Sequence, residues 1–306
     1  MNVAPIPRLL ERLSFSVRAL MHKTLHLRKR PFAICALLAA VFLHDVHAGE
    51  FPVPGAVLNG DLTQGGLIVG TTESDSRVEL DGKAVRVSKD GVFLLGFGRD
   101  AKPKWSLAIT HPNGKVFESE IRIAAREYDI QRIDGLPPSK VTPSQRDLSR
   151  IQEDVRVIRK ARTIDDPRTD FLETFDWPVL GVITGIYGSQ RILNGEPRRP
   201  HFGIDIHATK GTAVKAPASG VVTVAHPDMF FSGATLVIDH GHGLSSAFLH
   251  LDEILVDEGD SVKKGDALAT VGSSGRSTGA HLDWRINWFS QRLDPALIAG
   301  EMPAAQ

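Results

Sequence analysis

The sequence contains a single cysteine, and neither charge is in excess. Cys35 is the only cysteine among 306 residues, so no disulfide can form within the chain, and burial of apolar side chains has to stabilise its fold. Lys and Arg together number 36, as do Asp and Glu. The first 48 residues contain 7 of these bases and 2 of these acids, which leaves 29 and 34 and a formal charge of about −5. This mild acidity argues against a nucleic acid as the partner.

The apolar run near the N-terminus is too short to span a bilayer. It covers residues 31–43, about 13 residues, and follows Arg28, Lys29 and Arg30. The small-residue pattern that ends in Ala48 is typical of a signal-peptide cleavage site. We therefore predict a signal peptide and leader over residues 1–48, no stable membrane span after its removal, and a periplasmic or secreted protein.

Short runs rich in β-branched residues, each bounded by turn residues, occur between residues 49 and 126. Asp81 and Gly82 lie between two alternating runs and predict a two-residue hairpin. The spacing of the runs is typical of a small sandwich, so we predict an immunoglobulin-like β-sandwich domain over residues 49–126. The runs cover residues 66–69, 77–80, 84–87, 91–95, 105–109 and 116–123.

A linker with one amphipathic helical pattern is predicted over residues 127–170. Pro143 suits the first turn of this helix, and the face opposite the apolar stripe is charged, as a solvated face usually is. We expect the helix to pack between the domains or to lie over the functional cleft as a regulatory element. The apolar stripe consists of Leu148, Ile151, Val155 and Ile158.

Residues 171–306 have a second β pattern and no sustained helical period between residues 211 and 271. Runs at residues 220–225, 235–238 and 267–271 alternate with Gly, Asp, Lys and Ser clusters, which favours an antiparallel sheet. The predicted fold class is therefore mainly β, with a C-terminal antiparallel sheet domain, a small sandwich before it, and a connecting helix.

Two His and Asp pairs in this region have the spacing of metal ligands. His201 and Asp205 are four residues apart, and His281 and Asp283 are two apart, so each pair points to one side of a strand. Imidazole and carboxylate ligands suit zinc. Between the two pairs lies His250.

This region resembles the zinc metallopeptidases of LytM and lysostaphin type, family M23, over about residues 177–284. That family is marked by a His-x-x-x-Asp pair and a later His-x-His, whose last position here is Asp283. The matching segments follow in the order of the family. They are residues 177–179, 187–191, 201–206, 216–222, 237–243, 250–251, 259–265 and 272–279.

The resemblance implies metal-assisted hydrolysis of a peptide bond, with one Zn2+ per chain. His201, Asp205 and Asp283 would hold the zinc and lower the pKa of a bound water from about 15.7 toward roughly 7. His250 and His281 would be catalytic, one orienting or deprotonating the water and the other stabilising the oxyanion. The implied substrates are stem peptides or crosslinks of peptidoglycan. From its position before the peptidase domain alone, we expect the N-terminal domain to place the enzyme on the wall or on a partner such as a protein regulator.

Asp283 leaves a second class of function open. A second carboxylate ligand would cancel the +2 charge of the metal, which weakens it as a Lewis acid and favours Mn or Ca. The alternative function is a non-catalytic LytM-like module that binds peptidoglycan or activates a partner cell-wall hydrolase. An ordinary carbohydrate-binding β protein would require the ligand spacings to be accidents.

Overall fold

The computed structural model of the chain describes residues 49–133 and 147–304. The predicted signal peptide over residues 1–48 and Pro143, assigned to the first turn of the helix, lie outside the described residues. Within these two ranges, no helix is both long and apolar enough to cross a membrane. Strands make up most of the regular structure, so the mainly β fold class is confirmed.

Two four-stranded antiparallel sheets form the N-terminal part of the described chain. Their strand orders are β1-β2-β3-β6 and β5-β4-β7-β8. The two sheets enclose one core, in which Ile68 and Phe93 meet Leu107 and Ile109, so this part is a β-sandwich. The strands are β1 (Gly49–Val53), β2 (Ala56–Gly60), β3 (Leu67–Thr72), β4 (Arg77–Leu80), β5 (Lys83–Val85), β6 (Val92–Gly96), β7 (Lys104–Thr110) and β8 (Val116–Arg122).

The predicted hairpin at Asp81 and Gly82 is present between β4 and β5. Leu80 pairs with Lys83, and the two turn residues have φ angles of 49° and 71°, the left-handed conformation that a type I′ turn needs at both central positions. The immunoglobulin-like character of the sandwich and the domain boundaries at residues 48, 126 and 170 stay predictions.

A ten-stranded sheet forms the C-terminal part. Its main path is β10-β13-β20-β17-β16-β15-β18, with β14, β19 and β21 joined at its sides. No helix occurs between residues 211 and 271, as predicted. The strands are β10 (Val182–Gly185), β13 (Ile204–His207), β14 (Ala213–Lys215), β15 (Gly220–Met229), β16 (Gly233–Asp239), β17 (Leu244–Ile254), β18 (Ser261–Val262), β19 (Ala267–Val271), β20 (His281–Trp288) and β21 (Gln291–Leu293).

A small three-stranded sheet lies beside the large one. It has the order β12-β11-β9, and its strands are β9 (Ile130–Ile133), β11 (Gln190–Leu193) and β12 (Glu196–Pro197). Strand β9 runs parallel to β11. Part of the predicted linker, residues 130–133, therefore pairs with the segment that leads to His201.

Alternation along β20 separates the two faces of the large sheet. Leu282, Trp284 and Ile286 point into the main hydrophobic core. The side chains that alternate with these three along the strand point to the opposite face of the sheet, which we call the site face. On β20 it carries His281, Asp283, Arg285 and Asn287.

Helix α1 (Leu148–Ala161) packs on the site face rather than between the domains. Its Val157, Ile158 and Ala161 meet an apolar patch on neighbouring strands. Arg150 forms an ion pair with Asp228 at 2.7 Å, which ties the charged side of the helix to the sheet as well. The helix therefore covers part of the face that bears the candidate site. The apolar patch consists of Val224, Met229, Val237, Ala247 and Leu249.

Candidate metal centre

Strand pairing brings the three predicted metal ligands together. Asp205 on β13 lies directly opposite Asp283 on β20. His201 is held just before β13 by backbone hydrogen bonds, since its N–H donates to Ser189 O and its carbonyl accepts from Gly188 N, both at 2.8 Å. One ligand atom from each of His201, Asp205 and Asp283 lies within 4.8 Å of the other two. The structure therefore brings these three side chains together, although His201 lies outside the strand on which the spacing argument relied.

Two glycines leave the room that these carboxylates occupy. A Cβ at Gly203 would lie 2.5 Å from Oδ1 of Asp283 and 2.6 Å from the backbone oxygen of Trp284. A Cβ at Gly185 would lie 2.4 Å from Oδ2 of Asp205. All three distances are far below van der Waals contact, so only glycine fits at these positions without moving a carboxylate.

A β-bulge directs His250 toward the other candidate residues. Between the pairs Ala234↔Leu251 and Leu236↔Phe248, strand β17 contains one residue more than β16, and His250 adopts a φ of 63°. Such bulges change the direction of a side chain and are frequent near functional sites. The ring of His250 lies 4.8 Å from the ring of His281, centroid to centroid.

Hydrogen bonds fix how both rings are oriented. Nδ1 of His250 lies 2.8 Å from the carbonyl of Ser274, and Nδ1 of His281 lies 2.9 Å from the carbonyl of Gly279. A carbonyl only accepts, so Nδ1 carries the proton in each neutral ring and Nε2 keeps its lone pair. Nε2 of His281 lies 3.8 Å from Oδ1 of Asp205.

Burial determines the charge of His250. It lowers the pKa of this imidazole below its ordinary value, and the hydrogen bond to Ser274 offsets that effect only in part. His250 is therefore neutral at pH 7, with a lone pair on Nε2 that is able to accept a proton.

Arg285 also belongs to the site, although it was not among the predicted site residues. Its Nε donates to Oδ1 of Asp283 at 2.9 Å, and its Nη2 donates to Oδ2 at 2.5 Å. Burial raises the pKa of the Asp283 carboxyl, but the charge and hydrogen bonds of Arg285 outweigh burial and hold that pKa below its ordinary range. The sequence spacing indicates this contact, because Arg285 and Asp283 are two residues apart and such residues share one face of a strand.

The residues present fit a zinc ion. Nε2 of His201 is buried and has no hydrogen-bond partner among the described residues, although it lies 3.2 Å from Oδ1 of Asp205. An imidazole lone pair beside two carboxylates is a donor set for a divalent metal. Arg285 offsets one of the two carboxylate charges, so a +2 ion would leave the site at a net charge of about +1.

Comparison with known proteins gives the same family as the resemblance of the sequence. The description of the matching family model is Peptidase family M23, and it covers residues 199–295. Peptidoglycan DD-endopeptidase ShyB of Vibrio cholerae is 39% identical over 109 residues, which cover 35% of this chain and 24% of that protein. Murein hydrolase activator NlpD of Escherichia coli is 32% identical over 124 residues, which cover 40% of this chain and 31% of that protein. The chain therefore spans less than a third of the length of these relatives.

A solved structure extends the similarity beyond the matched segment. The crystal structure of an M23 protein from Pseudomonas aeruginosa is similar to this chain with a TM-score of 0.62 and 28% identity, and the match covers 78% of this chain and 96% of that one. A match of this extent includes more than the ten-stranded sheet alone. The resemblance inferred from the sequence is thus confirmed, and the chain carries a domain of peptidase family M23.

Proposed function

We propose that this protein is a zinc metalloendopeptidase that hydrolyses peptide crosslinks of peptidoglycan. The observation that carries the proposal is the convergence of five side chains from separate segments. His201, Asp205 and Asp283 would hold one zinc ion, while His250 and His281 stand beside them with both Nδ1 atoms bound to carbonyls. This arrangement leaves the Nε2 atoms of the two histidines for substrate and water.

Zinc, when bound, would polarise the scissile carbonyl and make a water acidic enough to act as the nucleophile at neutral pH. We assign the proton-accepting role to His250, because burial keeps its ring neutral with a lone pair on Nε2. His281 then has the task of stabilising the developing oxyanion or orienting the water. The carbonyls of Ser274 and Gly279 hold the two rings in place for these roles.

Names of the relatives support peptidoglycan as the substrate, since one is a peptidoglycan DD-endopeptidase and another a murein hydrolase activator. We accordingly place the protein in the cell envelope, exported by the predicted signal peptide. A protein regulator bound through the sandwich belongs to the same proposal.

A second candidate function is favoured by one specific contact. Because Arg285 already supplies a positive charge to Asp283, the buried carboxylate does not depend on a metal for compensation. The same site without zinc would be a non-catalytic module that binds peptidoglycan or activates a partner hydrolase.

Release of soluble muropeptides from purified peptidoglycan separates the two functions. We expect the full chain to release them, a chelator to stop release, and added zinc to restore it. His250→Ala should lower the rate by about 10²-fold or more, whereas the matched variant His226→Ala, outside the site, should leave it unchanged. Binding of peptidoglycan without release, with and without zinc, would instead support the non-catalytic module.

A further inference from the structure

Four arginines gather next to the candidate metal centre. Arg285 is on the site face of β20. Asn287, two residues after Arg285 on the same strand, pairs with Arg292 on β21. The guanidinium carbons of Arg199 and Arg292 lie 5.3 Å and 5.8 Å from the ring centroid of Phe202. Arg162 directly follows Ala161, the last residue of α1, which packs against the sheet.

These arginines have few acceptors. Asp283 accepts from Arg285, and Oδ1 of Asn287 accepts from Nη1 of Arg292 at 2.5 Å. Within residues 49–133 and 147–304, no hydrogen bond or ion pair joins the guanidinium of Arg162 or Arg199 to another side chain. Asp283 is therefore the one carboxylate in these ranges that is hydrogen-bonded to the cluster, and Asp205 adds a second negative charge near Arg285.

Burial and neighbouring positive charge act in the same direction on two of these guanidinium groups. Burial lowers the pKa of Arg162, and the charges of Arg285 and Arg199 lower it further. Burial and the same neighbours, together with Arg162, lower the pKa of Arg292. A guanidinium stays protonated at neutral pH, so this repulsion persists until an anion relieves it.

Two buried residues next to Arg292 have polar atoms without a partner in the described part of the chain. Asn287 is fully buried, and its Nδ2 has no hydrogen-bond partner among the residues described. Ser245, directly opposite Asn287 across the β17–β20 pair, has a buried hydroxyl that is unpartnered in the same set. A buried amide donor without an acceptor costs free energy. An anion beside Arg292 would supply acceptors to the half-buried guanidinium groups.

We propose that Arg162, Arg199, Arg285 and Arg292 form a site for the free terminal carboxylate of a peptide substrate. This proposal rests on the proposed function, because the position of the scissile peptide bond at the metal centre determines where the terminal carboxylate of the substrate lies. Planar guanidinium groups bind carboxylates through paired hydrogen bonds. Arg285 contacts the metal-ligand candidate Asp283, and one peptide residue spans about 3.8 Å, so a carboxylate one or two residues beyond the scissile bond comes within reach of Arg285.

Partial exposure makes the cluster accessible. Arg199 is exposed and the other three arginines are half-buried. The site would favour peptide substrates that end one or two residues after the scissile bond over peptides that continue further.

The test compares binding of two ligands that differ in one group. A soluble muropeptide with a free terminal carboxylate and the same muropeptide amidated at that carboxylate are titrated calorimetrically into the full chain without metal. Because the proposed hydrolysis requires metal, a titration without metal measures binding alone. We expect the free acid to bind about tenfold more tightly or better, since charged hydrogen bonds are lost in the amide.

Variants then assign the preference to the cluster. Arg162→Gln and Arg199→Gln should each reduce the ratio of the two affinities several-fold, whereas Arg191→Gln, an exposed arginine of the same region, should leave the ratio unchanged. Arg199→Gln is the safer variant for folding, because this side chain is exposed. Equal affinity for acid and amide, including no binding of either, overturns the carboxylate site. If the protein shows the preference but never hydrolyses peptidoglycan, the site stands and the peptidase does not.

Discussion

Both carboxylate oxygens of Asp283 accept hydrogen bonds from the guanidinium of Arg285, two residues further along β20. Asp283 is only 3% exposed, so this pair is formed in surroundings of low polarity. Without metal, the arginine neutralises a carboxylate that would otherwise be buried alone. With metal, the same arginine would keep a site with two carboxylates from becoming neutral. The pair thus decides how strongly the centre attracts a cation.

Removing the guanidinium should make the centre more dependent on zinc. We expect Arg285→Gln to lower the free energy of unfolding of the metal-free protein by about 2–4 kcal/mol, because it leaves a buried carboxylate unpaired. Zinc should raise the melting temperature of the variant by more than it raises that of the native protein. Differential scanning calorimetry with and without zinc measures both effects.

The control for this experiment is Arg276→Gln, since Arg276 lies over the ring of Phe231 and has no ion pair with a described residue. An equal zinc effect in Arg285→Gln and the native protein would contradict the view that Asp283 is a zinc ligand.

Burial of His240 should make stability depend on pH. Burial lowers the pKa of this ring from 6.5 to about 4, and the ring is held by the carbonyl of Ser219 at 2.7 Å and the hydroxyl of Ser246 at 2.9 Å. The unfolded chain gains a proton near pH 6.5 while the folded chain does not until about pH 4. The contribution of His240 is therefore complete above pH 6.5 and is lost as the pH falls toward 4, on the order of 3 kcal/mol.

The measurement is urea unfolding at several pH values, for the native protein and for His240→Asn. The difference between their free energies of unfolding should shrink between pH 6.5 and pH 4, because only the native protein loses this contribution. A difference that stays constant over that range would show that His240 does not titrate as its burial requires.

Packing of α1 on the site face gives a prediction for two neighbouring apolar residues. Ile158 meets the apolar patch on the sheet, whereas Val155 is 47% exposed. We expect Ile158→Ala to lower the free energy of unfolding by about 1–3 kcal/mol and Val155→Ala to change it by less than about 0.5 kcal/mol. Thermal unfolding of both variants measures this contrast, and equal effects would contradict the position of the helix.

Hydrolysis by the Ile158 variant also tests whether the helix regulates the site. If α1 restricts access, loosening it should raise the rate of muropeptide release several-fold. An unchanged rate would leave the helix a structural role only.

Sequence spacing predicted the site better than it predicted the helix. A strand has a simple two-residue period, so the spacing of His281 and Asp283 sufficed to place these two side chains on one face, whereas their approach to Asp205 also depends on the pairing of β13 with β20. The helix stripe included Val155, which is exposed, and omitted Val157 and Ala161, which pack. Four apolar residues at helical spacing define an apolar side of the helix, but they do not determine which residues on that side contact the sheet.

Other features depend on pairings that are distant in the sequence. The residues of β9 fall in the predicted linker, yet they pair with β11 about sixty residues later, and nothing in their local pattern indicates this partner. The bulge that turns His250 toward His281 also depends on the register between β16 and β17. Arg285, in contrast, shares a strand face with Asp283 and could have been predicted.

Zinc-edge anomalous diffraction from crystals grown with zinc tests the central claim most directly. We predict one anomalous peak per chain within about 2.0–2.2 Å of Nε2 of His201 and of carboxylate oxygens of Asp205 and Asp283. No peak at this position, or a peak held by His201 and Asp205 while Asp283 remains bound to Arg285 alone, would contradict the assignment of Asp283 as the third ligand.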